Sequence, residues 1–524
     1  MAHTVRAHGD DHLIPETHQP TRMEKMLGTI ERVGNKVPHP VVIFVLLIGL
    51  VIVLSHVFYR MGVSVTYESI NVDTDKLETL TTSVRSLLTT DGIRFMYSGV
   101  VANFMAFTAV GVIIVAMLGV GVAEAAGLIA ALIHKLVTIA PARILTYILV
   151  FVGILSSIAA DAGYLVLIPL AAAAYASVGR NPLVGLAASF AAVAAVFSVN
   201  IFVKPLDGIL VGLTNDAIAL TNPNLTISLT SNLWFSIASV FLLTIVVSLI
   251  TDKIVEPSMG KYVPEEGAVV DASAGLSAQE TRGLKYSFWA LVGTLVFFAL
   301  LSLPSGAPLR NAETGALIGD SPFMNGLIVF IALVFGITGA AYGLGAKTMK
   351  GTVDVVKAME KAVAGLGGLI FLLFVISQFN AFFTYTNMAT IAAVKLGDFL
   401  ETAGLGALPL LVGFVFVVAV LDLIMTGAIP KWAIFAPIFV PLLMRLGVEP
   451  EAVLAAYRVG DSPMNAVSPL NAYFALIVTF AAKYQKGAGV GTLIALMLPY
   501  VIVLFIVWPI LLALWQIFGL PWGM

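Results

Sequence analysis

Residues 496–515 read LMLPYVIVLFIVWPILLALW, an uninterrupted run without a single charged side chain. A helix of about 20 apolar residues crosses the roughly 30 Å of hydrocarbon in a bilayer. Two other runs have the same character, VVIFVLLIGLVIVL (41–54) and ILTYILVFVGIL (144–155). These runs predict helices that span a membrane.

The composition of the whole chain supports the same reading. Of its 524 residues, 59% are hydrophobic and only 11% are charged, against about 25% in ordinary soluble domains. Cysteine is absent, which excludes disulfides and thiolate metal ligands. We find no basic cluster suited to nucleic acid, and no metalloprotease, P-loop or nucleophile-elbow motif. We therefore expect neither an enzyme nor a bound cofactor, and the partners we expect are the lipid bilayer and a small molecule.

Hydropathy predicts about nine spans, and the distribution of Lys and Arg predicts their orientation. The spans lie near 40–59, 99–118, 143–159, 232–251, 286–303, 323–341, 364–382, 406–425 and 490–516. Basic residues before the first span predict a cytoplasmic N-terminus, and acidic residues in 60–94 place that loop outside. The predicted divisions are a cytoplasmic N-terminal segment (1–38), a first membrane half (39–255), a cytoplasmic linker (256–285) and a second membrane half (286–524).

Two polar stretches interrupt this apolar chain. Residues 455–471 read AAYRVGDSPMNAVSPLN, and residues 161–207 carry Asp161, Asn200, Lys204 and Asp207 among long apolar runs. Charged groups in hydrocarbon are costly unless they face one another, a cavity or a substrate. One such stretch in each half of a membrane protein indicates a translocation site.

Apolar pieces too short or too broken to cross lie beside these stretches. They are 163–178, 183–198, 205–220, 383–400, 431–445, 451–460 and 470–483. Such pieces are typical of re-entrant hairpins, which occur at membrane depth only inside protein or beside a cavity. At an offset of 268, Pro169, Gly179 and Pro182 match Pro437, Gly447 and Pro450. We interpret the match as a repeat and expect it to be inverted, with one hairpin in each half.

The polar side chains allow more than one role. Asn200 and Asn465 each follow a serine and precede a proline, so their amide oxygens are candidate cation ligands, or the amides satisfy broken backbone. Asp207 is a candidate for binding Na⁺, together with Asn200, or for carrying a proton. These three residues form the predicted cation-coupling region.

Arg458 precedes Asp461 by one helical turn. Either the two form a structural ion pair, or Arg458 binds a substrate carboxylate and Asp461 orients it. Trp432 is either an aromatic wall of the substrate site or a belt residue at the membrane interface.

Three strings, SSIAADAGYLVLIPLAA (156–172), KWAIFAPIFVPLLMRLG (431–447) and AAYRVGDSPMNAVSPLNAYFALIV (455–478), resemble the AbgT family of p-aminobenzoyl-glutamate transporters. The similarity runs from about residue 22 to the end of the chain. It implies a homodimer in the bacterial inner membrane, in which each subunit has nine spans, two re-entrant hairpins, an inner transport core and an outer scaffold that makes the dimer. The family is associated with uptake of p-aminobenzoyl-glutamate and export of sulfonamide antimetabolites, driven by Na⁺ or proton gradients.

Carried over motif by motif, the resemblance implies functional roles for Asp207, Trp432, Arg458 and Asp461, and for Pro450 and Pro469 in the substrate site. This chain departs from the family at Asp422, where an Asn is usual, at residues 428–430, which lack the usual hydroxyls, and at Lys204 in the first hairpin tip. Lys204 and Asp422 either compensate each other or refit the site to another ligand. We therefore include Asp422 among the predicted substrate residues.

These observations predict a secondary active transporter of aromatic or aminoacyl carboxylates related to p-aminobenzoyl-glutamate, or of sulfonamide-like antimetabolites. One alternative is a dicarboxylate transporter of the divalent-anion/Na⁺ type, which shares paired Ser/Asn hairpin tips. Another is an ion channel or a membrane scaffold without coupled transport.

Overall fold

The computed structural model describes residues 40–71, 76–158, 163–260, 276–318, 321–402, 406–422, 427–468, 471, 473–485 and 488–524. Within these residues, eight helices are long and apolar enough to cross a membrane, or nine if the bent pair 128–138 and 142–158 is one span. The prediction of an all-α polytopic membrane protein is confirmed. Asp161 and Pro469 lie outside the described residues, so the predicted role of Pro469 stays a prediction.

The first half of the chain contains helices and one β-hairpin. Their bounds are α1 (Pro40–Arg60), β1 (Ser64–Asn71), β2 (Lys76–Ser83), α2 (Thr90–Met105), α3 (Thr108–Ala126), α4 (Leu128–Thr138), α5 (Ala142–Ile158), α6 (Gly163–Ser177), α7 (Pro182–Ala195), α8 (Pro205–Ile218) and α9 (Leu233–Met259).

In the second half, a short helical turn at Pro322–Asn325 precedes the second helix. The helices are α10 (Ala278–Ser302), α11 (Leu327–Ala346), α12 (Thr352–Gly365), α13 (Gly367–Tyr385), α14 (Met388–Thr402), α15 (Ala407–Asp422), α16 (Ala428–Arg445), α17 (Pro450–Asp461), α18 (Phe474–Ala482) and α19 (Val490–Ile517).

The predicted acidic loop 60–94 contains a hairpin that we did not predict. β1 and β2 are antiparallel, with Ser64 opposite Ser83 and Asn71 opposite Lys76. Threonine, valine and isoleucine favour strands, but this alternation was too short to stand out beside the long apolar runs. Backbone bonding ties the end of the hairpin to the end of α13, because the Arg85 N–H donates to the Thr386 carbonyl over 3.0 Å.

Helix α16 differs from the expectation that residues 431–445 are too broken to cross. It runs continuously from Ala428 to Arg445 with Pro437 and Pro441 inside it, and it is long and apolar enough to span. A proline removes one helical hydrogen bond, which neighbouring helices at membrane depth can compensate. The predicted span at 406–425 coincides with helix α15, whose described residues end at Asp422. Helices α9 and α10 extend into the residues predicted as a linker, 256–285, and the division of the chain stays a prediction.

Close backbone contact holds α3 against α11. A Cβ added to Gly119 would lie 1.9 Å from the Ala332 carbonyl oxygen, and one added to Gly339 would lie 2.5 Å from the Ala123 Cα. Small residues permit this approach, which drives helix association in membranes. The role of these helices as a dimerisation scaffold stays a prediction.

The two segments matched by sequence end in the same turn. Gly179 and Gly447 have φ values of +75° and +78°, a conformation that glycine adopts without steric cost. The Gly179 N–H donates to the Ala176 carbonyl, and the Gly447 N–H donates to the Met444 carbonyl in the same way. Each turn is followed three residues later by a proline in the first turn of the next helix.

The two turns lie at opposite ends of α9. Arg180 donates to Asp252 and Glu256 near the C-terminal end of α9, over 2.5–2.8 Å. At the N-terminal end, the Asn232 side chain donates to the backbone carbonyl of Glu451 over 2.9 Å. An inverted repeat requires this placement, since one turn must reach each side of the membrane. The repeat itself stays a prediction that this geometry supports.

Candidate transport site

The two interrupted segments meet at their serines, beside the C-terminal end of α17. Ser198 follows α7 and Ser462 follows α17, and their hydroxyl oxygens are in contact. Both hydroxyls also donate to the Arg458 backbone carbonyl, over 3.0 and 2.9 Å. The Ser462 N–H also donates to this carbonyl over 3.3 Å, so the serine hydroxyls add to a helical hydrogen bond at the end of α17 and join the two halves.

The Arg458 guanidinium is buried at this junction. Its Nη1 donates to Asp207 Oδ1 over 2.6 Å and to the Ser198 carbonyl over 2.7 Å. Its Nε donates to Asn232 Oδ1 over 3.2 Å. Within the described residues Nη2 has no hydrogen-bond partner. Arg458 therefore connects the first-half tip, α8 and the start of α9, and it does not pair with Asp461 as the structural alternative required.

Helix α8 positions Asp207 for this contact. Pro205 occupies the first helical position, and Asp207 Oδ2 accepts the backbone N–H of Lys204 over 2.8 Å. A carboxylate in the first turn also interacts favourably with the positive end of the helix dipole. One oxygen of Asp207 is thus fixed by its own helix, which leaves the other for Arg458.

A second buried cluster joins α15, α16 and α17. The Lys431 ammonium contacts both Asp422 Oδ1 and Asp461 Oδ1, and all three side chains are 1% exposed or less. The Tyr457 hydroxyl lies 3.3 Å from Asp461 Oδ1. The second oxygen of each carboxylate has no partner among the described residues. Asp422 is therefore partnered by Lys431.

Lys204 lies apart from that cluster. Its ammonium donates to the Phe197 carbonyl, and Ser157 Oγ lies 3.4 Å away. Lys204 and Asp422 therefore do not pair with each other, since Asp422 contacts Lys431 and Lys204 donates to the Phe197 carbonyl. The described site holds three buried cations and three buried carboxylates, which balance when all are ionised: Lys204, Lys431, Arg458, Asp207, Asp422 and Asp461.

Asn200 and Asn465 both serve the broken backbone around them. The Asn200 amide donates to the carbonyls of Ile154 and Leu155 over 3.3 and 3.1 Å, and its oxygen accepts the Phe202 N–H. The Asn465 amide donates to the Asp461 carbonyl over 2.7 Å. No cluster of three or more His, Asp or Glu suited to a metal occurs in the described parts of the chain. A role of these asparagines in binding Na⁺ stays a prediction.

Trp432 is fully buried, which rules out the interfacial belt. Its indole N–H donates to the Leu210 carbonyl over 3.2 Å and to Thr214 Oγ1 over 3.0 Å, both on α8. Its ring packs 4.6 Å from that of Tyr457, centroid to centroid. Trp432 thus links α16, α8 and α17, and its role as an aromatic wall for substrate stays a prediction.

Pro450 lines a cavity of about 690 Å³ beside the C-terminal residues 519–524. Ser231 also lines it, and the next residue, Asn232, holds the Arg458 guanidinium. The cavity therefore lies at the N-terminal end of α9.

Sequence reasoning missed Lys431 and Asn232 as members of the site. Lys431 carried a usable signal, since a lysine among apolar residues needs an acidic partner, and two acids lie within the same half. Asn232 carried none, because its position at the start of an ordinary span does not show that it faces Arg458.

A bundle of apolar spans, with two interrupted segments whose tips meet around buried ion pairs, is the architecture of a membrane transporter. The chain belongs to the AbgT putative transporter family, whose pattern it matches over residues 25–524. It is 33% identical over 499 residues to the p-aminobenzoyl-glutamate transport protein of Escherichia coli strain K12, covering 95% of this chain and 96% of that protein.

Two solved structures share the fold. The YdaH transporter of Alcanivorax borkumensis superposes with a TM-score of 0.86 at 41% identity, over 93% of this chain and 100% of that one. MtrF of Neisseria gonorrhoeae, described as illuminating a class of antimetabolite efflux pumps, superposes with a TM-score of 0.88 at 38% identity, over 94% of this chain and 97% of that one. The chain is thus a multi-pass membrane transporter and not an enzyme.

Proposed function

We propose that this protein is a secondary active transporter of p-aminobenzoyl-glutamate-like carboxylates or related antimetabolites, coupled to a Na⁺ or proton gradient. The names of the Escherichia coli and Neisseria gonorrhoeae relatives support this substrate class. We further propose a homodimer in the bacterial inner membrane, with a cytoplasmic N-terminus. The observation that carries the proposal is the guanidinium of Arg458, buried where the two halves meet.

Arg458 is suited to a substrate carboxylate because of how its nitrogens are used. Nε and Nη1 are fixed by Asn232, Ser198 and Asp207, whereas Nη2 has no partner within the described residues. Guanidinium binds carboxylate through two parallel N–H groups, and Nη1 and Nη2 form such a pair. A substrate carboxylate at this edge would compete with Asp207 for Nη1.

This competition supplies a mechanism for coupling. When the substrate takes Nη1, Asp207 loses its counter-charge in a buried site, and an unpaired buried carboxylate is costly. A proton or Na⁺ that binds Asp207 removes that cost, with Asn200 and Asn465 offering neutral oxygens at the same tips. Substrate and cation therefore favour each other's binding, and the direction of net transport follows the gradients.

Arg458→Lys tests the role of the guanidinium while preserving its charge. Removing the charge altogether would leave Asp207 unpaired, at a cost of about 3–5 kcal/mol, and would confuse binding with folding. We expect the lysine variant to remain folded and to bind p-aminobenzoyl-glutamate at least about tenfold more weakly, since a charged hydrogen bond contributes about 1.5–3 kcal/mol. Binding to purified protein and counterflow in proteoliposomes measure this.

The matched control is Arg445→Lys, at an arginine that pairs with Asp398 on the surface at 2.6 Å. This variant should bind and transport as the wild type does. Unchanged substrate affinity in Arg458→Lys would refute the assignment. Competition by succinate without competition by p-aminobenzoate would instead indicate the divalent-anion class, and non-saturable flux that persists without ion gradients would indicate a channel.

A further inference from the structure

A second cavity lies at the other end of α8 from the Arg458 site. Its volume is about 370 Å³, within the range of small-molecule sites at about 300–1,000 Å³. Asp216 of α8 and Asn380 of α13 both line it. Asp216 follows Asp207 by nine residues, which corresponds to about 13 Å along a helix. The cavity is therefore distinct from the junction of the two tips.

Two residues that line this cavity each carry a buried oxygen without a partner. Neither Asp216 Oδ2 nor Asn380 Oδ1 accepts a hydrogen bond from any described residue. Buried polar groups are normally satisfied, so the wall of the cavity has an unmet need for hydrogen-bond donors. The neighbouring amides do not fill the need, because Asn103 donates to Gln378 over 3.0 Å and Gln378 donates to the Val100 carbonyl.

The charge in the cavity is also uncompensated. Among the described residues that line it, only Asp216 is charged, and Asp216 takes part in none of the salt bridges between described residues. Arg85 contacts the wall, with its guanidinium carbon 5.6 Å from the centre of the Tyr385 ring, but it does not line the cavity. A water molecule would satisfy the two oxygens but would leave the carboxylate charge unbalanced.

Aromatic rings form much of the remaining wall. Phe95 and Tyr385 stack with their centroids 4.5 Å apart, and Phe107 and Phe383 also line the cavity. Aromatic faces attract organic cations. No cluster of three or more His, Asp or Glu that could hold a metal ion occurs among the described residues, and a proton alone would leave the volume and the rings unused.

We propose that this cavity is a second binding site, for a small organic ammonium ion that carries an aromatic or apolar group. Asp216 balances the ammonium charge, Asn380 accepts a hydrogen bond or orients the cation, and the rings cover the apolar part. The ligand class differs from the carboxylates proposed for Arg458. This chain thus has a cation-selective site on α8 in addition to the anion-selective one.

Binding of benzylammonium to the purified full chain, measured calorimetrically, tests the proposal. We expect saturable binding, with benzyl alcohol binding at least about tenfold more weakly because it lacks the charge. Asp216→Asn should lose about tenfold or more in affinity, and Glu313→Gln, at an exposed loop acid, should lose none.

Asn380→Ala is the second variant, and it should weaken binding severalfold while leaving the charge of Asp216 in place. If Asp216→Asn does not fold, the affinity of Asn380→Ala tests the proposal instead. The ratio of the affinities of the wild type for the two ligands also tests it. Equal binding of the cation and the alcohol, undiminished affinity in the folded Asp216→Asn protein, or the lack of saturable binding up to millimolar concentration would overturn the proposal. Binding of p-aminobenzoyl-glutamate reports separately on the Arg458 site.

Discussion

At the scale of single residues, Lys431 decides how two acids can share the interior of the second half. Asp422 and Asp461 both contact its ammonium, and all three are buried. Two buried carboxylates so close to one amine repel each other, and only the lysine makes their joint ionisation tolerable. The cluster holds the end of α15 against α16 and α17. It lies beside Ser462, whose hydroxyl donates to the Arg458 carbonyl.

Lys431→Met should therefore lower the stability of the protein strongly, by about 3–5 kcal/mol, the usual cost of removing one partner from a buried pair. Adding Asp422→Asn to this variant should restore much of the loss, because only one uncompensated carboxylate then remains. The midpoint of thermal unfolding in detergent measures both effects. Losses that add, with the double variant less stable than Lys431→Met, would show that the three residues are not one cluster.

At the scale of elements, the sequence predicted the interrupted segments better than their contacts. The pieces expected at 163–178, 183–198, 205–220 and 451–460 are α6, α7, α8 and α17 to within a few residues, because Gly and Pro mark helix ends locally. The prolines of α16 led to the wrong prediction that this segment is too broken to cross, because tertiary packing supports a continuous helix there. The partner of Arg458, Asp207, lies hundreds of positions away along the chain, and the partners of Lys431 lie on other helices. No local sequence pattern reveals such contacts.

The matched turns offer a prediction about backbone conformation alone. At both Gly179 and Gly447 an added Cβ would meet nothing within 4 Å, so any cost of Gly→Val arises from the positive φ and not from collision. We expect each variant to lose about 1–2 kcal/mol of stability, and to a similar extent. Thermal unfolding measures this loss.

Gly49→Val is the matched control for these turns. Gly49 also has open space around its Cβ position, but it is exposed inside helix α1, where valine is more favourable than glycine. This variant should not unfold below the wild-type temperature. A loss at Gly49 equal to that at Gly447 would contradict the explanation by backbone conformation.

At the scale of the whole molecule, the sequence predicted the class of architecture, since it follows from long apolar runs. It predicted about nine spans, and the described residues contain eight candidate spans, or nine if the bent pair is one span. The sequence did not predict how the two halves contact each other. Ser198 and Ser462 are separated by 264 residues, and their meeting depends on how every intervening helix packs. Likewise, residues of α2, α8, α13 and α16 together line the cavity at Asp216, so the sequence of a single segment does not predict it.

The placement of the two turns at opposite ends of α9 yields a prediction about sidedness. The chain lacks cysteine, so single cysteines can be introduced without a background. Ser177 and Glu449 are both exposed beside the matched turns. With the N-terminus cytoplasmic, the turn near Asp252 faces inward and the other faces outward. A membrane-impermeant maleimide added to intact cells should label Glu449→Cys and not Ser177→Cys, and detergent should make both reactive. Labelling of both from the same side would rule out the inverted arrangement, because two turns of equivalent geometry on one membrane face require a direct repeat.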